Sequence, residues 1–329
     1  MARGPIGRYD AGMVKSPNEL ELVCADFNPA LELLRRLGVQ LDIIYPADDP
    51  HTAILTHDGM NLRLTSQSGA PPPSADLPEF LSEFVVTHEG DSAGEGRAGM
   101  RYRDLIPGRL GGRYIASHIT ISEGGPVADW VHFHRIAVQL ICVRRGWVRV
   151  VYEDQGEPFI MAAGDIVLQP PGIRHRVLEG SPGLEVIEIT CPALHETFAD
   201  HAMALPNGQA DPERKFGGQR FLHHVAGTSP WFPWHGAEAQ ATGVQDASGL
   251  IDARILKPGA SPVIAMPPHG GELVFGFVLE GSMRLEFGDE YALGPADSFV
   301  IPPGEEWHLC GLSDDLRLLH VTTERIHRA

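Results

Sequence analysis

Hydrophobic and polar positions alternate along most of this chain with the period of two that marks strands. Glu19 to Asp26 (ELELVCAD) is the first such run. Asn28 then caps a helix. Pro29 suits its first turn, Leu31, Leu33, Leu34 and Leu37 give it an apolar face, and Gly38 ends it. Three strand-like runs follow, Val39–Tyr45, Thr52–Thr56 and Met60–Thr65, with Asp58-Gly59 as a hairpin turn between the last two. Pro71-Pro72-Pro73-Ser74 predicts an extended linker, Asp76 to Phe84 a short helix, and His88 to Arg97 a mobile polar loop. The stretch before about residue 18 predicts no structure. From Tyr114 onward strand follows strand: YIASHITI, VHFH, VQLICV, GWVRVVYED, FIMAAGDIVLQP, HRVLEG and LEVIEIT. After a polar crossing from Ala193 to about Phe216, a second block repeats the landmarks in order. VLEGSMRLEF answers GWVRVVYED, LGPADSFVIPPG answers MAAGDIVLQPPG, and LRLLHVTTE answers LEVIEIT. Two barrels or sandwiches of one type are predicted.

Composition narrows this picture. The 329 residues suffice for two or three domains, and 37 Gly and 27 Pro supply the turns that many short strands need. A formal net charge of −17 argues against nucleic acid and anionic membranes as partners. Four scattered Cys without a CxxC pair, an opening MARGPIGRYD without an apolar core, and no run near the length of a membrane span lead us to expect a reduced, cytoplasmic protein. GEGRAG at residues 94–99 has neither the leading strand nor the following helix of a phosphate loop, and no GxSxG elbow is present.

The candidate chemistry lies between His132 and His175. His132 and His134 share one strand face, and Gln139 has the opposite parity, which a turn between strands would correct. Gly146, Gly164 and Pro170-Pro171-Gly172 allow tight turns that bring His175 in from a neighbouring strand. Three imidazoles and one amide at these spacings point to a metal site. Arg174 and Arg176 are expected to point outward, Cys142 to pack, and Trp130 and Phe133 to shape the barrel mouth or simply pack.

The same residues carry a resemblance to the cupin superfamily. Its first motif, His-x-His, a Glu after four residues and a Gly after six more, is matched by His132, His134 and Gly146, with Gln139 in place of Glu. Its second motif is matched without a gap by Gly164, Pro170, Gly172 and His175. Residues from about 100 to 329 resemble a bicupin, which implies two jelly-roll barrels. In the second block, aligning Gly281 with Gly146 puts Pro267, His269 and Val274 at the first-motif positions. Pro302 and Gly304 are kept, Trp307 stands where the His would be, and His308 comes one residue late. That barrel is therefore expected to be structural, with an improvised site of His269, Glu272 and His308 as the alternative. The first 66 residues, with their β-α-β-β-β order, FNPALELLRRLG and ADDPHTAIL, resemble one half-module of the glyoxalase / vicinal-oxygen-chelate family. That module is expected to be structural or to form a homodimer.

The expected fold is therefore mainly β: a βαβββ module (1–70), a linker (71–99), a metal-binding barrel (100–205) and a degenerate barrel (206–329). By resemblance, one divalent ion bound by His132, His134, Gln139 and His175, with Fe(II) favoured over Mn, Ni, Co or Zn, would serve a dioxygenase. Its substrate would be a small anionic or aromatic metabolite chelated at the metal. An isomerase or lyase, and a non-catalytic binding or sensor protein, are the alternatives. Tyr114, His118 and Glu188 are further acid–base candidates whose direction the sequence leaves open.

Overall fold

The computed structural model describes residues 19–67, 76–91, 93–95, 100–208 and 210–327. The expected unstructured start, the Pro71–Ser74 linker and most of GEGRAG lie outside these residues. The described chain is mainly β, in two barrels and one small module, as the alternation predicts.

The module follows the predicted order: β1 (Glu19–Cys24), α1 (Phe27–Arg36), β2 (Gln40–Tyr45), β3 (Thr52–His57) and β4 (Met60–Ser66). Asp26, not Asn28, is the residue at the N-cap of α1. The sheet order is β1-β4-β3-β2, with β1 parallel to β4. Leu31 and Leu34 pack towards Leu41, Leu55 and Leu64 of the sheet, while Leu33 and Leu37 stay exposed. The module's edge is covered from within the chain. β2 pairs with the strand Thr197–Ala199, which pairs with His132–His134, so one continuous sheet runs from the module into the first barrel.

The first barrel closes that sheet against a second one. The first carries His132–His134, His175–Gly180, Trp147–Tyr152 and Phe159–Ala162. The second carries Leu222–His224, Ile166–Leu168, Val138–Arg145, Leu184–Cys191, Ile115–Ile121 and Arg101–Asp104. The second barrel repeats the plan with a seven-stranded and a four-stranded sheet. The repeat extends to single contacts. Gly146 and Gly281 both take a positive φ, and a Cβ on either would strike a serine hydroxyl, of Ser181 and Ser313 respectively. Trp147 N–H donates to Ser181 Oγ as Ser282 N–H donates to Ser313 Oγ. Gly172 N–H donates to His134 O as Gly304 N–H donates to His269 O.

Asp76 to Phe84 is not the helix that the spacing predicts. Leu77 and Phe80 pack on the core between the barrels, and Phe84 packs on that of the second barrel. Reaching both keeps the segment extended, so tertiary packing overrides the helical spacing. It leads into β5 (Val85–Thr87), which pairs with Ser298–Val300 and becomes an edge of the second barrel. In exchange, Leu222–His224 pairs with Ile166–Leu168 and extends the first barrel. Pairings thus cross the boundaries expected from sequence.

The largest core lies between the barrels, where Val138, Leu140, Ile187 and Ile189 meet Phe275, Phe277, Leu319 and Val321. Cys142 is fully buried here, as its parity predicts, and burial raises its thiol pKa to about 12. At one end of this core Arg113 donates from Nη2 to Glu272 Oε1 (2.8 Å) and from Nε to Glu272 Oε2 (3.0 Å), and Tyr114 Oη–H donates to the same carboxylate (2.9 Å). No described helix is long and apolar enough to cross a membrane.

Candidate metal centre

Three of the four sequence-predicted ligands converge inside the first barrel. His132 and His175 are direct cross-strand partners, and His134 lies two residues along on the same face. One ligand nitrogen from each ring lies within 4.8 Å of the others. Among the described residues this is the one such grouping of His, Cys, Asp or Glu. Phe133, of opposite parity, faces outward to stack on Phe198. Arg174 reaches over that ring from outside and pairs with Asp200, and Arg176 is exposed.

The hydrogen bonds behind two of the rings fix their tautomers, and the one behind the third is compatible with the same form. His132 Nδ1 lies 2.7 Å from Trp130 O, and His175 Nδ1 lies 3.2 Å from Ile173 O. A carbonyl oxygen only accepts, so both Nδ1 atoms carry the proton. His134 Nδ1 lies 2.9 Å from Thr197 Oγ1, a hydroxyl that can accept as well. With Nδ1 protonated, each neutral ring keeps its lone pair on Nε2, the form in which imidazole binds a metal. Donors about 2.1 Å from one ion sit roughly 3–4 Å apart, so small side-chain shifts would close the three rings on it. The residues present fit a divalent cation.

Gln139 reaches the same cavity because the chain changes sheets at residues 135–137, which corrects its parity. Its Oε1 accepts a 2.5 Å hydrogen bond from Gln169 Nε2, and Gln169 Oε1 accepts one from Tyr152 Oη–H at 2.9 Å. Burial, chiefly, pushes the Tyr152 pKa up and keeps its phenol protonated. The relay holds the amide in place, and its oxygen, with a second lone pair, keeps acceptor capacity.

The cavity holds about 140 Å³ and is walled by Ile119, Ile141, Val148, Val150, Met161 and Val186. Glu188 lines it and so points inward. Tyr114 and His118 do not line it. Tyr114 faces Glu272 between the barrels, and His118 sits between Arg103 and Glu185, where burial, ahead of the Arg103 charge, lowers its pKa.

Sequence spacing missed two residues of the cavity. Asp48 comes from the turn after β2, in the module expected to carry no ligand, and Arg109 holds its Oδ2 at 2.8 Å. His195 follows the last long strand of the barrel, and its ring stands edge-on to His134 with centroids 5.3 Å apart. Burial, chiefly, lowers its pKa. His195 belongs to no motif, and Asp48 lies in ADDPHTAIL, a stretch read only for its likeness to the module, so no spacing marked either as a cavity residue.

Among its described residues the second barrel offers no comparable centre. Trp307 pairs with Met266 where His175 pairs with His132, one residue short of the Pro267 that spacing predicts. Val274 takes the register position of Gln139, and His320 that of Glu188. Trp307 and Phe299 fill the interior. His269, Glu272 and His308 do not converge. Glu272 is held by Arg113, His269 bonds Thr323 O, and His308 lines a surface cleft with Glu286 and Glu290.

A model of the cupin domain matches residues 254–322, within this second barrel. Among solved structures, protein Ylba from E. coli aligns with a TM-score of 0.53 at 11% identity, over 76% of this chain and 94% of that one. A single-site variant of oxalate decarboxylase from B. subtilis aligns with a TM-score of 0.53 at 13% identity, over 78% of this chain and 81% of that one. No curated protein matches. With the domain match in one barrel and its contacts repeated in the other, the chain is a two-barrel protein of the cupin fold.

Proposed function

We propose that the first barrel binds one divalent metal ion through His132, His134 and His175, with Gln139 as a weaker fourth ligand, and that this centre is catalytic. The observation that carries the reading is the hydrogen bonding behind the rings: carbonyl oxygens leave Nε2 as the lone-pair nitrogen of His132 and His175, and the Thr197 hydroxyl permits the same form of His134. Three imidazoles and an amide are all neutral, so the ion would keep its full double charge and favour an anionic substrate that chelates through two oxygens.

The activity we favour is that of a non-haem Fe(II) dioxygenase. Iron(II) at this centre would supply the redox chemistry linking a chelated substrate to dioxygen. The protein's part is to hold the substrate among aliphatic walls that exclude water, and to orient the ligands through Trp130 O, Ile173 O and Thr197. Metal-dependent isomerase or lyase chemistry is the second reading, and Glu188 favours it. A carboxylate on the cavity wall can move a proton to or from a bound acid without oxygen. For the module, whose glyoxalase likeness is a reading of its sequence, we propose the role of closing the barrel mouth with residues 46–50.

Metal analysis of wild type and His175→Ala, purified without chelators or nickel columns, tests the centre. We expect about one ion per chain in the wild type and none in the variant. Oxygen uptake with small hydroxy- and oxo-acids then separates the two activities. Turnover without oxygen consumption supports the lyase or isomerase, and no metal in either protein overturns both.

A further inference from the structure

We infer that the substrate of this centre carries a hydrogen-bond donor beside its chelating oxygens, a hydroxyl or N–H group received jointly by His195 and Asp48. The inference rests on the metal reading above and narrows the substrate class. His195 is 4% exposed, lines the cavity, and places its Nδ1 3.2 Å from Pro192 O. A carbonyl only accepts, so the proton is on Nδ1, and Nε2 is a lone-pair acceptor. That Nε2 is buried without a hydrogen-bond partner. Asp48 lines the same cavity and shows the same pattern. Arg109 takes its Oδ2, while Oδ1 is buried and also without a partner.

Buried polar atoms in proteins are almost always satisfied, and two unsatisfied ones on one small cavity call for a common explanation. Both are acceptors. A second carboxylate would meet a lone pair and a negative charge there, with no proton to offer either. A methyl group would leave both acceptors desolvated and unpaired, at a cost that water cannot relieve. An O–H or N–H group satisfies them. The ring contact between His195 and His134 sets the scale, because the donor must sit next to the chelated oxygens and not at the end of a long molecule. The favoured class is a small hydroxylated or amino-bearing carboxylate. Dicarboxylates such as oxalate, whose ends only accept, are disfavoured.

Glycerate, lactate and tartronate test this. All three chelate through a 2-hydroxycarboxylate, and their third substituents are hydroxymethyl, methyl and carboxylate. Full-length protein loaded with cobalt(II) is titrated with each, using both enantiomers of the first two, and binding is read from the visible cobalt spectrum. We expect glycerate to bind at least about tenfold more tightly than lactate, and tartronate to bind most weakly. In His195→Leu and Asp48→Ala, cobalt uptake should be unchanged and the glycerate preference should fall to within about twofold. If one variant does not fold, the other decides. Equal affinity for glycerate and lactate in the wild type, or a preference that survives substitution, overturns the inference and leaves the metal centre standing. No cobalt uptake overturns the metal reading and this inference with it.

Discussion

Thr197→Val removes one hydroxyl from behind the centre and almost no volume. Thr197 is 1% exposed and its Oγ1 lies 2.9 Å from His134 Nδ1. Valine would leave that N–H facing a methyl group in a place water does not reach. An unpaired buried donor costs about 1–3 kcal/mol. The cost falls on the metal-bound state, where Nε2 is committed to the ion and the ring cannot turn to find another acceptor. Loss of such an outer hydrogen bond typically weakens metal affinity by about 10–100-fold, or about 1.4–2.7 kcal/mol. Competition against a chelator of known affinity measures this directly. Thr197→Ser should restore most of the loss, because it returns the oxygen. Thr190→Val is the matched control, since Thr190 is equally buried and its hydroxyl has no hydrogen-bond partner, so metal affinity should not change. A folded Thr197→Val that binds metal as tightly as wild type would refute the tautomer argument.

Other expected outcomes follow from the rest of the chain. Arg113→Met strands the Glu272 carboxylate, which is 5% exposed, and should cost about 3–5 kcal/mol in urea unfolding. Adding Glu272→Leu should recover much of that, and a single variant as stable as wild type would count against the pair. His320 is buried beside Trp234 and Trp307, and burial, ahead of Arg254, lowers its pKa from 6.5 to about 3. The folded state keeps this ring neutral while the unfolded chain takes a proton below 6.5, so its contribution is whole above that pH and is lost as pH falls towards 3. At pH 5 the loss is about 2 kcal/mol, and His320→Phe should flatten the acid side of the stability profile by that amount. A profile unchanged in the variant would rule this out. We also expect a homodimer through the module, whose edge strand β1 exposes Leu20 and Val23. Leu20→Lys with Val23→Lys should then give monomers in sedimentation, whereas a monomeric wild type would dismiss the idea.

Much of the site could be read in the sequence because its ligands sit on short, regular spacings. His132, His134 and His175 are fixed by two strands and a glycine-bearing turn, all local devices that leave a residue pattern. The duplication was legible for the same reason, and Trp307 and Val274 already marked the second barrel as lacking ligands. What stayed hidden depends on contacts between distant segments. Asp48 reaches the cavity because β2 docks on Thr197–Ala199, and His195 because that strand pairs in turn with His132–His134. β5 has three residues, too few for any periodicity, and the segment before it has helical spacing that two separate cores override. Glu188 was visible as a candidate, but its inward direction follows from the register of its strand with Val138–Arg145.

The exchange of edge strands also bears on how the chain is made. Thr87 of β5 bonds Ser298, 211 residues further on. At about 5–20 residues per second, the ribosome would deliver that partner some 10–40 s after β5 emerges. Until then β5 has no sheet to join, and the segment ahead of it has only one of the two cores that hold it extended. The first barrel waits as well, because Leu222–His224 is translated after all its other strands. The first barrel therefore lacks an edge strand until Leu222–His224 is made, and the second cannot close before Arg317–Thr323 follows, so each half of the nascent chain carries an exposed strand edge through much of its synthesis.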